Sequence, residues 1–378
     1  MATVKIAQHA ERPVTVDTHA DTPSEFRDHP FDLGVWNSSG HFDYPRMKAG
    51  NLDAEFFAAY VPAKYANRGA AAYCMSIMET IHEMVDRYPS LVRLAASTGD
   101  IRSAVRGGKR AILIGIEGGH AIEDSLDLLR AFYRSGARYM TLTHTNSNHW
   151  ADSSGDEGKH NGLTPFGRQV VTEMNRLGML VDISHVADST FWNVIETTRA
   201  PVIASHSSAR ALAGHKRNMT DDMLRAMAKN HGVVMVNFYP VFLSDEVARA
   251  SRERDTKLAP QIAELKAKDP DEGEVYNKGL KELMDANPIP KIPYTLIVDH
   301  IDHIVKVAGI DTVGIGSDFD GIPGTPTGME DVSKLPAIRS ELERRGYSKG
   351  DIDKVLGENF MRVFAEVERV AKEMQAPR

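Results

Sequence analysis

The sequence predicts an α/β fold, a (β/α)8 TIM-type barrel with a helical insertion between its seventh and eighth strands, and three observations carry that prediction. Eight short apolar runs alternate with helical patterns, the arrangement of βα units around a parallel sheet. Behind six of those runs stand polar side chains able to bind metal or move protons. The C-terminal ends of barrel strands are where such a fold gathers its site. An open doubly wound sheet competes with the barrel, but its outer strands lie too far apart for those side chains to meet.

The first strand, 14–17, leads to His19 and Asp21. The second, 55–61, precedes a long helical stretch over roughly 69–97. The third, 111–115, leads to Glu117 and then to a helix over 124–135, for which Asp124 is the expected N-cap. The fourth, 139–143, leads to His144 and a long polar loop before a helix beginning at Thr164-Pro165. The fifth, from Leu180 to Ile183, leads to His185, with a helix over 188–198. The sixth, 201–204, leads to His206 and a helix over 220–230. The seventh, 232–236, ends at Asn237, and the eighth, 312–315, leads to Asp318. Two helices follow, 334–345 and 349–372, the latter with Ser348 as its cap.

The stretch 244–290 breaks this rhythm, being charged and helical with no strand of its own. Residues 1–378 then form one domain, with 244–290 an insertion at the barrel mouth. It could act as a lid or wall over the site, or equally be a solvated helical hairpin or an oligomer contact.

Composition narrows the chemistry. Hydrophobic content of 42% with 26% charged residues suits a globular chain with a substantial core. A net charge of −7 without a Lys/Arg cluster argues against a nucleic-acid surface. Cys74 is the lone cysteine, so any bound metal must use histidine and carboxylate. No apolar run approaches the roughly 20 residues that span a bilayer. Met1 to Pro13 is polar and lacks the apolar core of a signal peptide, so the chain as given reads as cytoplasmic.

His19-Ala20-Asp21 alternates on extended chain, so both side chains can chelate one ion. Glu117, flanked by Gly118-Gly119, can approach two ions closely; it could instead cap the next helix or pair with an arginine. His185 and His206 each follow a buried strand, where a single histidine is more often a satisfied core residue. Five candidate ligands at strand ends make coincidence a poor explanation. Such a set suits two zinc ions, although manganese, iron or cobalt would accept the same donors. Two metals together can activate water and polarise a carbonyl. Asp318 could take a proton from that water and pass it to a leaving amine. His144 could donate to a developing oxyanion or merely hold its loop. Arg217 offers a planar fork suited to a carboxylate, yet reads by itself as a surface residue.

Several stretches together resemble the membrane (renal) dipeptidases, a branch of the metal-dependent amidohydrolases. They include Val16-Asp17-Thr18-His19-Ala20-Asp21, Gly115-Ile116-Glu117-Gly118-Gly119-His120, Leu142-Thr143-His144, Val181-Asp182-Ile183-Ser184-His185-Val186, Ala204-Ser205-His206-Ser207-Ser208-Ala209, Arg217-Asn218 and Gly316-Ser317-Asp318-Phe319-Asp320-Gly321. The resemblance spans about 14–365. It implies that His19 and Asp21 bind one zinc, that His185 and His206 bind a second, and that Glu117 bridges both. It implies His144 and Arg217 as substrate-binding groups, for the oxyanion and the C-terminal carboxylate, and Asp318 as proton shuttle. The implied activity is hydrolysis of dipeptides by a metal-bridging hydroxide, with a D-residue accepted at the C-terminal position. Other amidohydrolase reactions, such as N-acyl amino acid deacylation or lactone hydrolysis, are the alternative. Expected partners are small dipeptides, with no nucleic acid and no membrane; a homodimer is left open. The chain lacks the paired cysteines and lipid-anchor signal of mammalian members, so membrane attachment is not implied.

Overall fold

The computed structural model describes residues 12–270 and 273–376, so most of the polar N-terminal stretch lies outside the described residues. Nine strands form one parallel sheet: β1 (Val16–Ala20), β2 (Ala54–Tyr60), β3 (Val92–Leu94), β4 (Arg110–Glu117), β5 (Ala137–Thr141), β6 (Leu180–Asp182), β7 (Ile203–Ala204), β8 (Val233–Val236) and β9 (Val313–Ile315). Eight follow one another in the order β1-β2-β4-β5-β6-β7-β8-β9. β3 is an addition, pairing with the first residues of β4 while β5 pairs with its later ones. β1 and the residue after Asp318 then meet in a parallel bridge, Ala20 to Phe319, which nearly closes the ring. The (β/α)8 architecture is therefore present, with its strands buried on both faces as parallel sheets require.

The interior is filled by alternate residues of the strands, among them Val16, Phe56, Leu113, Tyr139, Leu180 and Met235. Phe360 and Phe364, from the helix Asn359–Gln375, join that cluster and stopper one end of the barrel. A larger apolar layer lies between the strands and the surrounding helices. Among the described residues no helix is long and apolar enough to cross a membrane.

Four expectations need correction. The stretch 69–97 is not one helix: Ala70–Asp86 ends ahead of Pro89, and β3 and a further helix, Thr98–Arg106, follow. A proline cannot continue the helical hydrogen-bond ladder and disfavours helix in the residue before it. Ser125, not Asp124, caps Leu126–Arg134, since its side chain accepts from Leu128 N. The 349–372 helix is interrupted by a wide turn, Lys354–Glu358, where Gly357 passes so close to the Val14 carbonyl that a Cβ would lie 2.1 Å from it. Finally, β1 runs on to Ala20, so His19 lies inside the strand and Glu117 is the last residue of β4.

Between β8 and β9 lie Pro240–Leu243, Asp245–Lys268, Glu274–Ala286 and Thr295–Ala308. Ser244 caps the 24-residue helix through Val247 N, and Val247 and Ala248 pack with Val241 in a small cluster of their own.

Candidate metal centre and active site

Parallel strands point their C-terminal ends to one side, and the candidate side chains converge there. Glu117, at the end of β4, is the hub. One of its oxygens lies 3.1 Å from His185 Nε2, 3.5 Å from His206 Nε2 and 3.7 Å from His144 Nε2; the other lies 3.7 Å from His19 Nε2. His19 Nε2 is 3.3 Å from Asp21 Oδ2, and the Nε2 atoms of His185 and His206 are 2.9 Å apart. Ligand atoms held about 2.0–2.2 Å from a common ion stand roughly 3–4 Å from one another. Three sets have donor atoms within 4.8 Å of one another: His19, Glu117 and His206; Glu117, His144 and His185; His19, Asp21 and Asp318.

The donor set fits metal ions. His19 Nε2 and Asp21 Oδ1 are buried with no hydrogen-bond partner, a costly arrangement unless a cation takes their lone pairs. The Nδ1 atoms of His206 and His19 are engaged from behind. His206 Nδ1 is 2.8 Å from Ser205 Oγ, and Ser205 donates to Asp182 Oδ2 at 2.6 Å. That relay makes Nδ1 the protonated nitrogen and aims the Nε2 lone pair at the centre. His19 Nδ1 meets the buried Tyr139 hydroxyl at 2.7 Å. Tyr139 fits only because Gly115 opposes it, since a Cβ there would fall 2.0 Å from its ring.

Burial and neighbouring charge set the electrostatics. Burial disfavours the Glu117 carboxylate, but the imidazoles of His144, His19 and His185 outweigh it and hold this carboxyl well below its usual range. Burial keeps His185 and His206 neutral by lowering both well below the ordinary value. Burial pushes the Asp318 carboxyl up to about 7, with Asp21 and Glu117 adding to it and His19 opposing. Asp318 Oδ2 also accepts from Asn237 Nδ2 at 2.8 Å.

Arg217, read from sequence as a surface residue, is buried at 8% exposure. Its guanidinium lies 5.3 Å from the centre of the Phe242 ring, donates to the His206 carbonyl at 3.0 Å and Ser207 Oγ at 3.3 Å, and leaves Nε unpartnered. No carboxylate among the described residues forms an ion pair with it. His144 is partly buried, with its ring 4.8 Å from that of Tyr60. All eight candidates, from His19 to Asp318, thus share one region. Tyr139, Asp182, Ser205 and Asn237 went unassigned in the sequence, although Asp182 ends β6 and Asn237 follows β8, where the strand-end rule would have picked both.

A near-closed barrel with a histidine–carboxylate centre at its strand ends defines a metal-dependent hydrolase of the barrel type. A sequence profile of the family described as "Membrane dipeptidase (Peptidase family M19)" matches residues 5–378, and the chain belongs to that family. It is a metallo-dipeptidase, a hydrolase of peptide bonds. A probable dipeptidase PvdM from Pseudomonas aeruginosa is similar at 28% identity, covering 96% of this chain and 97% of that one, with a TM-score of 0.81. A metallopeptidase described as dipeptidase AC is similar at 25% identity, covering 94% and 98%, with a TM-score of 0.77. A metallopeptidase from Rhodobacter sphaeroides, solved with a phosphinate mimic of L-Ala-D-Ala, shares the fold at 24% identity, covering 94% and 100%, with a TM-score of 0.76.

Proposed function

We propose that this chain is a binuclear zinc enzyme cleaving dipeptides that carry a free C-terminal carboxylate. One observation carries the substrate assignment: a buried guanidinium, Arg217, in contact with no carboxylate among the described residues, with Asp318, Glu117 and Asp182 acting on it only from a distance. A buried charge without a partner is strongly destabilising, so an arginine held this way calls for an anionic ligand. Burial lowers its pKa only to about 10, so it stays cationic at neutral pH.

In this reading His19 and Asp21 would hold one ion and His185 and His206 the other, with Glu117 available to both. Bound zinc supplies an activated water and polarises the scissile carbonyl. Arg217 grips the substrate's C-terminal carboxylate in its planar fork. His144, within reach of Glu117, donates to the oxygen on which negative charge develops. Asp318, steadied by Asn237, holds the proton removed from the attacking water and delivers it to the departing amine. The dipeptide mimic carried by the R. sphaeroides protein supports a D-residue at the C-terminal position.

Turnover of a dipeptide panel, set beside N-acyl amino acids and lactones, tests the reading. Dipeptides are expected to be the better substrates by a wide margin, and failure to cleave any of them sinks it. Arg217→Ala is expected to raise KM at least tenfold; an unchanged KM removes the carboxylate clamp.

A further inference from the structure

Inside the barrel an aromatic column runs from the stoppered end to the metal centre. The Phe360 ring stands edge-on to Phe56 at 5.4 Å, and Phe56 stacks on Tyr139 at 5.0 Å. Tyr139 in turn lies 6.3 Å from the His19 ring, at 19° to it. All four side chains are fully buried. The last contact is the polar one, the Tyr139 hydroxyl at 2.7 Å from His19 Nδ1. Tyr139 has no room to turn away from it. Gly115 faces its ring from β4, where even a methyl group would collide, and Phe56 covers the ring from β2. Close-packed surroundings of this kind hold a side chain in one rotamer.

The proton in this contact has one consistent place. His19 Nε2 stands near Asp21 and Glu117 and has no hydrogen-bond partner, so it is the nitrogen left for an ion. A neutral imidazole that gives one nitrogen to a metal carries its proton on the other, and Nδ1 then donates to the Tyr139 oxygen. Such a bond fixes the ring's orientation and makes the metal-facing nitrogen a better electron-pair donor.

The second ion would be steadied by other groups. His206 donates from Nδ1 to Ser205 Oγ, and Ser205 donates to Asp182. Asp182 is itself anchored by Thr141 Oγ1 at 2.6 Å and by the Ser184 and Ser205 amides at 3.0 and 2.8 Å. The two supports share no residue. A phenol in the barrel interior stands behind one ligand; a hydroxyl and a carboxylate at the ends of β6 and β7 stand behind the other.

Resting on the binuclear reading above, we infer that Tyr139 is a positioning residue for one ion alone: its hydroxyl sets how tightly the His19–Asp21 site holds metal and leaves the His185–His206 site untouched. Zinc titrated into the metal-free protein against a competing chelator reads the two stepwise affinities. Wild type is expected to take up two ions. Tyr139→Phe keeps the packing, removes the hydroxyl and is expected to weaken one step by about 10–100-fold. Ser205→Ala is expected to weaken the other step instead. Both steps unchanged in Tyr139→Phe, both weakened alike, or the same step weakened in the two variants overturns the inference. Uptake of fewer than two ions by wild type overturns the binuclear reading and this inference with it. A measurement on wild type alone covers a variant that fails to fold. Isotope-labelled histidine NMR spectra of the zinc-loaded protein should show a slowly exchanging proton on His19 Nδ1 in contact with Tyr139, and its absence overturns the inference whatever the variants do.

Discussion

His185 and Asp318 hold their backbones in the left-handed region, at φ 67° and 65°. Non-glycine residues there cost of order 1–3 kcal/mol and persist where surrounding bonds over-determine them. Those bonds are visible: Asp318 N donates to the His19 carbonyl, and Ser154 N donates to the His185 carbonyl. The strain turns both side chains inward after strands that end three residues earlier. Asp318→Asn keeps the shape and removes the proton-accepting oxygen. We expect kcat to fall by about 10²–10⁴, the usual worth of a positioned general base, with KM and metal content little changed. Loss of metal instead would make Asp318 chiefly a ligand. At this scale the sequence was informative wherever chemistry sits at a strand end. It was silent on Tyr139, which looks like one more core aromatic inside β5, and the residues around Arg217 gave no sign of its burial, so only the resemblance placed it in the site.

At the scale of elements, short-range signals located most helices: Ser348 caps as expected, and Thr164 and Thr220, where helices were expected to begin, turn out to be their caps. β3 escaped because three residues with one buried side chain carry little periodicity. What the pattern could not show is how elements are tied together. His300, on the helix Thr295–Ala308, accepts from Ala209 N through Nδ1 at 3.0 Å and reaches the Leu243 carbonyl through Nε2 at 3.2 Å. It therefore joins the loop leading to Arg217 with the start of the 244–290 segment, and the bond from Ala209 needs the neutral ring, because a protonated Nδ1 cannot accept. Burial lowers its pKa to about 4. The unfolded chain takes up this proton near 6.5 and the folded chain near 4, so the stabilisation is complete above 6.5 and lost as pH falls. The stability gap between wild type and His300→Leu is expected to narrow by about 3 kcal/mol from pH 7 to 4, read from urea unfolding curves. A constant gap would show that the ring does not titrate in this window.

Across the whole molecule, the barrel was legible because eight apolar runs and their polar followers repeat one theme. Its closure was legible only through the chemistry that the strand ends must share, since no local pattern shows which bonds join the first strand to the last. The seam is made by residues of the centre itself: Ser317 N donates to Asp17 Oδ1 at 2.8 Å, Asp318 N to the His19 carbonyl, and Asp21 N to the Phe319 carbonyl. Asp17 and Ser317 stand 300 positions apart. Contacts so distant along the chain pay their loop-closure entropy late and form slowly. This gives the protein a chronology. During refolding from denaturant, β2, β4 and β5 can pair through nearby segments, whereas His19, Asp21 and Asp318 come together only when the two ends of the barrel meet. Recovered helical signal should run ahead of recovered peptide cleavage, and amide protection at Asp21 and Asp318 should appear in step with activity. The enzyme, on this account, is switched on by the last stitch of its own folding.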